Sequence, residues 1–443
     1  MYRIGLISLL VVGVSCTSNN GEYKSNVQDS EFVHRSIKKI TDIIVHDIFS
    51  PPVASRIYAY VSIAGYEALI PGDKSFQSLA GQLKGLGVVP QPVEGEEYCL
   101  ELASVQAILK VGRALIFSED KLDVYYNKIM EDFRKAGVPD EVFDRSIAYG
   151  DEVADHILAW SSKDNYKQSR SFPKYTIVNN PATWKPTPPA YMDAVEPHWN
   201  KIRTFVIDSA QQFKPLPPTP FSADKKSLFY KEAMEVYETG VNLTEEQRII
   251  ASFWDCNPFA MNVKGHVMFA SKKISPGGHW INITAVASRI KKSTTIESLE
   301  AYVHVSLSLA DAFISCWDEK YRSVLIRPES YINQYVDENW VPLLQTPPFP
   351  EYTSGHSVIS AAASLALTDI YGDNFAFTDS TEVEFGMAPR SFTSFKQASD
   401  EAAISRFYGG IHYMPACIEG VKEGIAVREL IRSRIRTRAG KGS

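Results

Sequence analysis

Residues 347–364 read PPFPEYTSGHSVISAAAS. Pro347, Pro348 and Pro350 stop the chain from continuing any helix through this stretch, and Thr353 or Ser354 is a residue type that caps a new one. The small and apolar residues beyond His356 then predict a helix over 356–371. Such a start offers unpaired backbone N–H groups and a partial positive charge. The Ser354 hydroxyl and the Gly355 amide are therefore placed to bind an oxyanion, with His356 beside them. The plain alternative is an ordinary capped helix carrying an exposed histidine.

Two neighbouring segments add to this reading. Upstream, Lys320 is followed after six residues by Arg327 and Pro328. On one helix that separation is two turns, which sets both cations on one side, roughly 10 Å apart, able to embrace a single anion. The alternative is a solvated basic face with Arg327 complementing a helix C-terminus ahead of Pro328. Downstream, Ser405 and Arg406 precede His412, with Gly409 and Gly410 between them. The paired glycines let the chain turn back, so Arg406 and His412 need not diverge. Each segment is weak alone, but in order they place three cations, a Ser-Gly-His cap and a second histidine in one chain of net charge -6.

Around these segments the apolar spacing is helical. Phe32, Ile37, Ile40, Ile43, Ile44 and Ile48 mark one amphipathic helix, and Val105, Ile108, Leu109, Val111 and Leu115 mark another. Similar patterns recur at 54–70, 121–135, 140–161, 225–239, 245–256, 259–274, 295–323, 397–408 and 416–437, while alternating strand runs are scarce. Thr244 with Gln247 is a capping-box start. The expected class is all-α: two helical bundles of the four-helix type packed together, with the site in the C-terminal one. Ten of the 25 prolines fall between Pro173 and Pro220, alongside Trp184, Tyr191, His198, Trp199 and Phe205. That composition forbids long helices and is too aromatic for a flexible linker, so an ordered excursion bordering a pocket is expected. The expected organisation is a leader over 1–15, a polar tether over 16–30, an N-terminal bundle over 31–171, the excursion over 172–222 and a C-terminal bundle over 223–443.

With 443 residues, 44% of them hydrophobic, the chain can bury a large core, which excludes a disordered tail. Its acidic balance gives no electrostatic reason for a nucleic-acid partner. Met1, Tyr2 and Arg3, an apolar run from Ile4 to Val14, then Ser15 and Cys16 read as an export signal of bacterial lipoprotein type. Gly13 departs from the usual aliphatic residue before such a cysteine. The run is too short to span a bilayer, so membrane contact is expected only through lipid on Cys16, with secreted or periplasmic release as the alternative. Cys99, Cys256, Cys316 and Cys417 lack tight metal-site spacing and read as buried thiols.

Lys-x6-Arg-Pro, Ser-Gly-His and Ser-Arg-x5-His resemble the three signature segments shared by type 2 phosphatidic-acid-phosphatase-like acid phosphatases and vanadium-dependent haloperoxidases. Phe349-Pro350-x-Tyr352-x-Ser354-Gly355-His356, together with Asp311-Ala312-x-Ile314 and Trp317, is more similar to the haloperoxidases, as is the exported bacterial layout. The resemblance spans residues 311–412; the first half matches only in length and helical character.

The resemblance implies vanadate as cofactor, with phosphate able to compete for the site. His412 would bond the vanadium. Lys320, Arg327, Arg406, Ser354 and the Gly355 amide would hold its oxygens. His356 and Lys320 would act with His412 in catalysis, and Trp317, Phe349 and Phe259 would line a halide pocket. Implied substrates are hydrogen peroxide and a halide, iodide or bromide before chloride, with small organic acceptors downstream. The alternative is an acid phosphatase acting through a phosphohistidine at His412, with His356 protonating the leaving alcohol. One departure is visible: many relatives carry an aspartate three residues beyond the second histidine, and here that position is Ala416. Asp400, Glu401 or a backbone carbonyl is then expected to orient His412, and the loss counts against hydrolysis. A glycan-binding surface lipoprotein fits the export signal and the aromatics of 184–205 but gives no reason for the three segments. The charges agree with the oxyanion reading. A vanadate, like a phosphate, carries up to about two negative charges, and each cation at 4 Å contributes on the order of 4 kcal/mol at an effective dielectric near 20.

Overall fold

The computed structural model describes residues 22–439 except Phe259, Gly265, His266 and Ser271. The expected export signal and the halide-pocket position Phe259 therefore lie outside the described residues. The first half contains α1 (Glu22–Val27), α2 (Glu31–His46), α3 (Pro51–Leu69), α4 (Leu100–Leu115), α5 (Glu119–Lys135), α6 (Asp140–Ser161) and the single turn α7 (Tyr166–Ser169). The second half contains α8 (Leu228–Val241), α9 (Glu245–Phe253), α10 (Pro276–Lys291), α11 (Thr295–Ser323), α12 (Pro328–Tyr335), α13 (Gly355–Tyr371), α14 (Phe395–Tyr408) and α15 (Met414–Arg434). Two short antiparallel hairpins complete it: β1 (Met261–Lys264) with β2 (Val267–Ala270), and β3 (Phe377–Asp379) with β4 (Arg390–Phe392). The class is all-α, as expected. No helix among the described residues is long and apolar enough to cross a membrane.

Helix α11 is the axis of the molecule. A capping box, Thr294 with Glu297, starts it, and its side chains are buried from Ile296 through Lys320 with the single exception of Glu297. A helix hydrophobic on all sides belongs in the middle of a core. It packs on α3 from the first half and on α13 from the second. Helix α3 is likewise buried throughout, with Pro51 and Pro52 in its first turn, where a missing N–H costs nothing. One hydrophobic cluster consequently runs from Val33 and Ile40 of α2 through Leu299 and Phe313 of α11 to Val427 and Ile431 of α15. Each fully buried isoleucine or leucine in it contributes on the order of 1.5–3 kcal/mol.

Helix α15 approaches the start of α13 closely because it carries Gly420 and Gly424. A Cβ on Gly424 would stand 2.0 Å from the Val358 carbonyl oxygen, and one on Gly420 would stand 3.0 Å from that of Ser354. The excursion over 172–222 has one 3-10 turn (Trp199–Lys201) and is pinned to α11. Asp311 accepts the backbone N–H groups of Phe205, Val206 and Ile207 at 2.7, 2.7 and 2.9 Å. The Trp184 N–H reaches the Val324 carbonyl at 2.8 Å.

Three local expectations are corrected. The stretch 259–274 holds the β1–β2 hairpin, not a helix; the alternation of Met261, Val263, Val267 and Phe269 has a period of two that outweighs the helical match. Helix α10 lies outside every expected helical stretch; Pro276, Gly277 and Gly278 occupy its first turn under a Ser275 cap. Lys320 and Arg327 do not share a helix: α11 ends at Ser323 with Val324 left-handed at φ 48, and Arg327 is the N-cap of α12.

Candidate active site

The three segments meet at the start of α13. Ser354 caps it, accepting the Ser357 N–H at 3.4 Å and the Ser357 hydroxyl at 2.8 Å, so its own hydroxyl proton is a donor, with the Cys417 sulfur as its protein partner. Gly355 and His356 form the first turn and line a small cavity of about 30 Å³, whose wall also includes Cys256, Trp317, Phe349, Arg406 and His412.

Arg327 is fully buried. Its Nε donates to the Phe349 carbonyl at 3.0 Å, and Nη1 to the Ile411 carbonyl at 2.8 Å and to His412 Nε2 at 3.1 Å. Nη2 is buried with no protein partner. Arg406 donates Nη1 to the Trp254 carbonyl at 2.8 Å, and its Nε is likewise buried without a partner. Burial pushes Arg327 down to about 10 and lowers Arg406 as well, yet both stay charged at neutral pH. Two guanidinium nitrogens left without protein acceptors in a buried pocket are what an oxyanion site requires. Lys320 differs from expectation. Its ammonium donates to the carbonyls of Pro350 at 3.1 Å, Glu351 at 3.0 Å and Thr353, so its protons hold the loop before α13. It lies against the rings of Phe349 and Trp317, 5.1 and 5.7 Å from their centroids. Burial brings it down to about 8.

His412 is oriented by a carboxylate after all. Its Nδ1 meets Glu351 Oε1 at 2.8 Å, and the same oxygen accepts the Tyr413 N–H at 3.0 Å. Because an arginine N–H faces Nε2, the ring is the Nδ1–H tautomer with its lone pair on Nε2. This corrects the expectation attached to Ala416. Asp400 is occupied by Lys396, Glu401 by Arg390 and the Trp254 indole, and neither reaches His412. The argument against hydrolysis from a missing carboxylate falls with it. Burial, then Arg327, Lys320 and Arg406, hold His412 well below the usual histidine range. Burial raises Glu351 to about 7 against the pull of Arg327 and Lys320. Glu351 stood inside the deciding stretch but served only as a spacer between Pro350 and Tyr352.

His356 opens partly on the cavity, with Nε2 lacking a protein partner. Burial, then Arg406, keeps it well below its ordinary value, so it is neutral and able to take a proton. Trp317 donates to the Val195 carbonyl at 3.2 Å, which couples the excursion to the cavity wall, and its ring centroid stands 5.0 Å from that of Phe349. Glu423 accepts the hydroxyls of Ser315 at 2.6 Å and Thr353 at 2.7 Å, a second carboxylate that fixes the loop and that no sequence signal marked.

A vanadate anion fits this donor set: two orphaned guanidinium nitrogens, the serine proton, the first amides of α13, and an imidazole lone pair aimed by a carboxylate as metal-bound histidines are.

Residues 300–439 match the family model of the VCPO second helical-bundle domain. A comparison with curated proteins finds no match. Among solved structures, the first bacterial vanadium-dependent iodoperoxidase is 50% identical, with a TM-score of 0.88, covering 93% of this chain and 98% of its own. A bacterial vanadium-dependent chloroperoxidase shares the fold at 15% identity, with a TM-score of 0.66, covering 88% of this chain and 94% of its own in the holo form. Its apo form gives 16% identity and a TM-score of 0.67, covering 87% and 95%. With half of its residues shared across nearly its whole length, and with the signature side chains gathered around one cavity, this chain belongs to the bacterial vanadium-dependent haloperoxidases.

Proposed function

We propose that this haloperoxidase oxidises iodide in preference to bromide and chloride, using hydrogen peroxide. The observation that carries the chemistry is the His412 lone pair on Nε2, fixed by Glu351 and facing Arg327. When bound, vanadate supplies Lewis acidity that activates peroxide toward halide without a change of oxidation state. His412 holds the vanadium, while Arg327, Arg406, Ser354 and the Gly355 amide hold oxygens. Lys320 keeps Pro350, Glu351 and Thr353 in register and adds positive charge beneath the site. Neutral His356 takes the proton that peroxide gives up, at Nε2. Trp317 and Phe349 are the halide wall. An aromatic face suits the most polarisable and least hydrated halide, and the 50% identical relative is an iodoperoxidase.

The test is apo protein with and without orthovanadate, assayed with peroxide against iodide, bromide and chloride. Vanadate-dependent iodide oxidation, inhibited by millimolar phosphate, is expected. Oxidation that survives exhaustive vanadate removal overturns the site assignment, and bromide turnover equal to iodide overturns the preference.

A second activity is favoured by Glu351, which gives His412 the partner that a phosphohistidine mechanism needs. The apo chain is expected to hydrolyse a chromogenic phosphate ester slowly, and orthovanadate to abolish that hydrolysis. Lipid anchoring through Cys16 is the proposed localisation, and release of Cys16→Ser to the soluble fraction is its check. Small organic acceptors in solution are the proposed destination of the oxidised halide.

A further inference from the structure

Behind the cavity wall lies a second cluster that the oxyanion chemistry does not use. Cys256 follows α9, His279 sits in the first turn of α10, and Glu382 follows β3; all three are buried, and Cys256 also lines the cavity. His279 Nδ1 stands 3.3 Å from Cys256 Sγ and 3.1 Å from Glu382 Oε1, and Sγ stands 3.6 Å from the same Oε1. Tetrahedral zinc separates a nitrogen and an oxygen ligand by about 3.3 Å, and sulfur from either by about 3.5 Å, given zinc–ligand bonds of about 2.0 and 2.3 Å. The observed triangle departs from that geometry by only about 0.2 Å.

The far side of the imidazole is also arranged for a ligand. His279 Nε2 meets Asp379 Oδ2 at 2.6 Å, so the carboxylate fixes the ring with Nδ1 turned toward Cys256 and Glu382, where a metal ion would displace the Nδ1 proton. The donor set of one thiolate, one imidazole and one carboxylate is borderline-soft and suits zinc over magnesium or calcium.

We propose that Cys256, His279 and Glu382 form a zinc site, distinct from the vanadate site, with Asp379 as the positioning residue. Its place in the fold gives it a role. The Trp254 ring stacks on His279 with centroids 4.6 Å apart, and the Trp254 carbonyl is the acceptor for Arg406. Zinc there ties α10, the segment after α9 and the β3 turn together directly behind an arginine of the oxyanion cradle.

The test uses the full chain expressed in zinc-supplemented medium, dialysed into metal-free buffer and measured by plasma mass spectrometry, with and without orthovanadate. One zinc per chain is expected, unaffected by orthovanadate. Cobalt-substituted protein is expected to show a sulfur-to-cobalt charge-transfer band that Cys256→Ser removes. Asp379→Asn keeps all three ligands and is expected to weaken zinc binding about 10–100-fold, which decides the matter if Cys256→Ser or Glu382→Gln fails to fold. Zinc far below one equivalent with no charge-transfer band overturns the proposal and leaves a metal-free hydrogen-bonded cluster. Zinc held equally well by a folded Cys256→Ser protein overturns the ligand assignment.

Discussion

Two buried histidines in this molecule each face a carboxylate at hydrogen-bond distance, and the two behave oppositely. His412 meets Glu351 at 2.8 Å with Arg327 on its other nitrogen and Lys320 and Arg406 nearby. His279 meets Asp379 at 2.6 Å with Glu382 and Cys256 on its other nitrogen. Burial, reinforced by the surrounding cations, keeps the first ring neutral, with a lone pair to offer. Surrounding acids and the thiol raise the second well above its ordinary value despite burial. A histidine–carboxylate pair therefore does not define a site's chemistry; the third and fourth neighbours do. One environment is made for an anion and the other for a cation, and Cys256 and His412 share the walls of one cavity.

The largest effect expected from disturbing this contrast is at His412. His412→Ala should abolish vanadate binding, read by calorimetry, and with it halide oxidation; retained stoichiometric binding would mean that the cations alone form the site. His356→Ala should leave vanadate bound while turnover falls about 10²–10⁴-fold. An equal loss of binding would make His356 part of the cradle. Glu351→Gln should weaken vanadate about 10–100-fold, because an uncharged amide no longer stabilises the Nδ1–H tautomer as firmly. Unchanged affinity would show that Arg327 suffices to orient the ring.

The smallest effect tests the rule away from both sites. His304 Nδ1 accepts from Arg428 at 3.2 Å while its Nε2–H donates to the Thr437 hydroxyl oxygen at 3.1 Å, and burial followed by Arg428 pushes it down to about 3. Its folded value lies below the unfolded value near 6.5, so the unfolded chain binds the extra proton between these limits. Stability is thus unaffected at pH 7 and falls as pH drops below 6.5, by about 2 kcal/mol at pH 5. Denaturation of His304→Gln across pH 5–7 should lose that slope; an unchanged slope would show that His304 is not held neutral in the folded chain.

The sequence made much of this legible, for local reasons. Ser354 caps α13, Thr244 with Gln247 forms the capping box at α9, and the three signature segments converge, because each depends on residues a few positions apart. What escaped depends on distance along the chain. Glu351 reaches a histidine 61 positions away, and Glu423 a threonine 70 positions away, contacts that no spacing encodes. The Lys320 and Arg327 geometry failed differently: Val324 adopts a left-handed turn that a β-branched residue seldom takes, so nothing in its type announced the end of α11. Helix α10 begins on Pro276, Gly277 and Gly278, residue types of low helix propensity that only the Ser275 cap turns into a start.

The Asp311 clamp carries a consequence for the timescale on which the excursion opens. Phe205, Val206 and Ile207 belong to no helix or strand, yet their three amides end on one carboxylate buried in the central helix. Such amides can exchange with solvent deuterium only when the loop lifts off that carboxylate, which strips a buried acid of its three donors. By hydrogen exchange this loop should behave as core, with protection comparable to that of α11 and set by global unfolding. The wall it builds through Val195 and Trp317 then shares the persistence of the bundle.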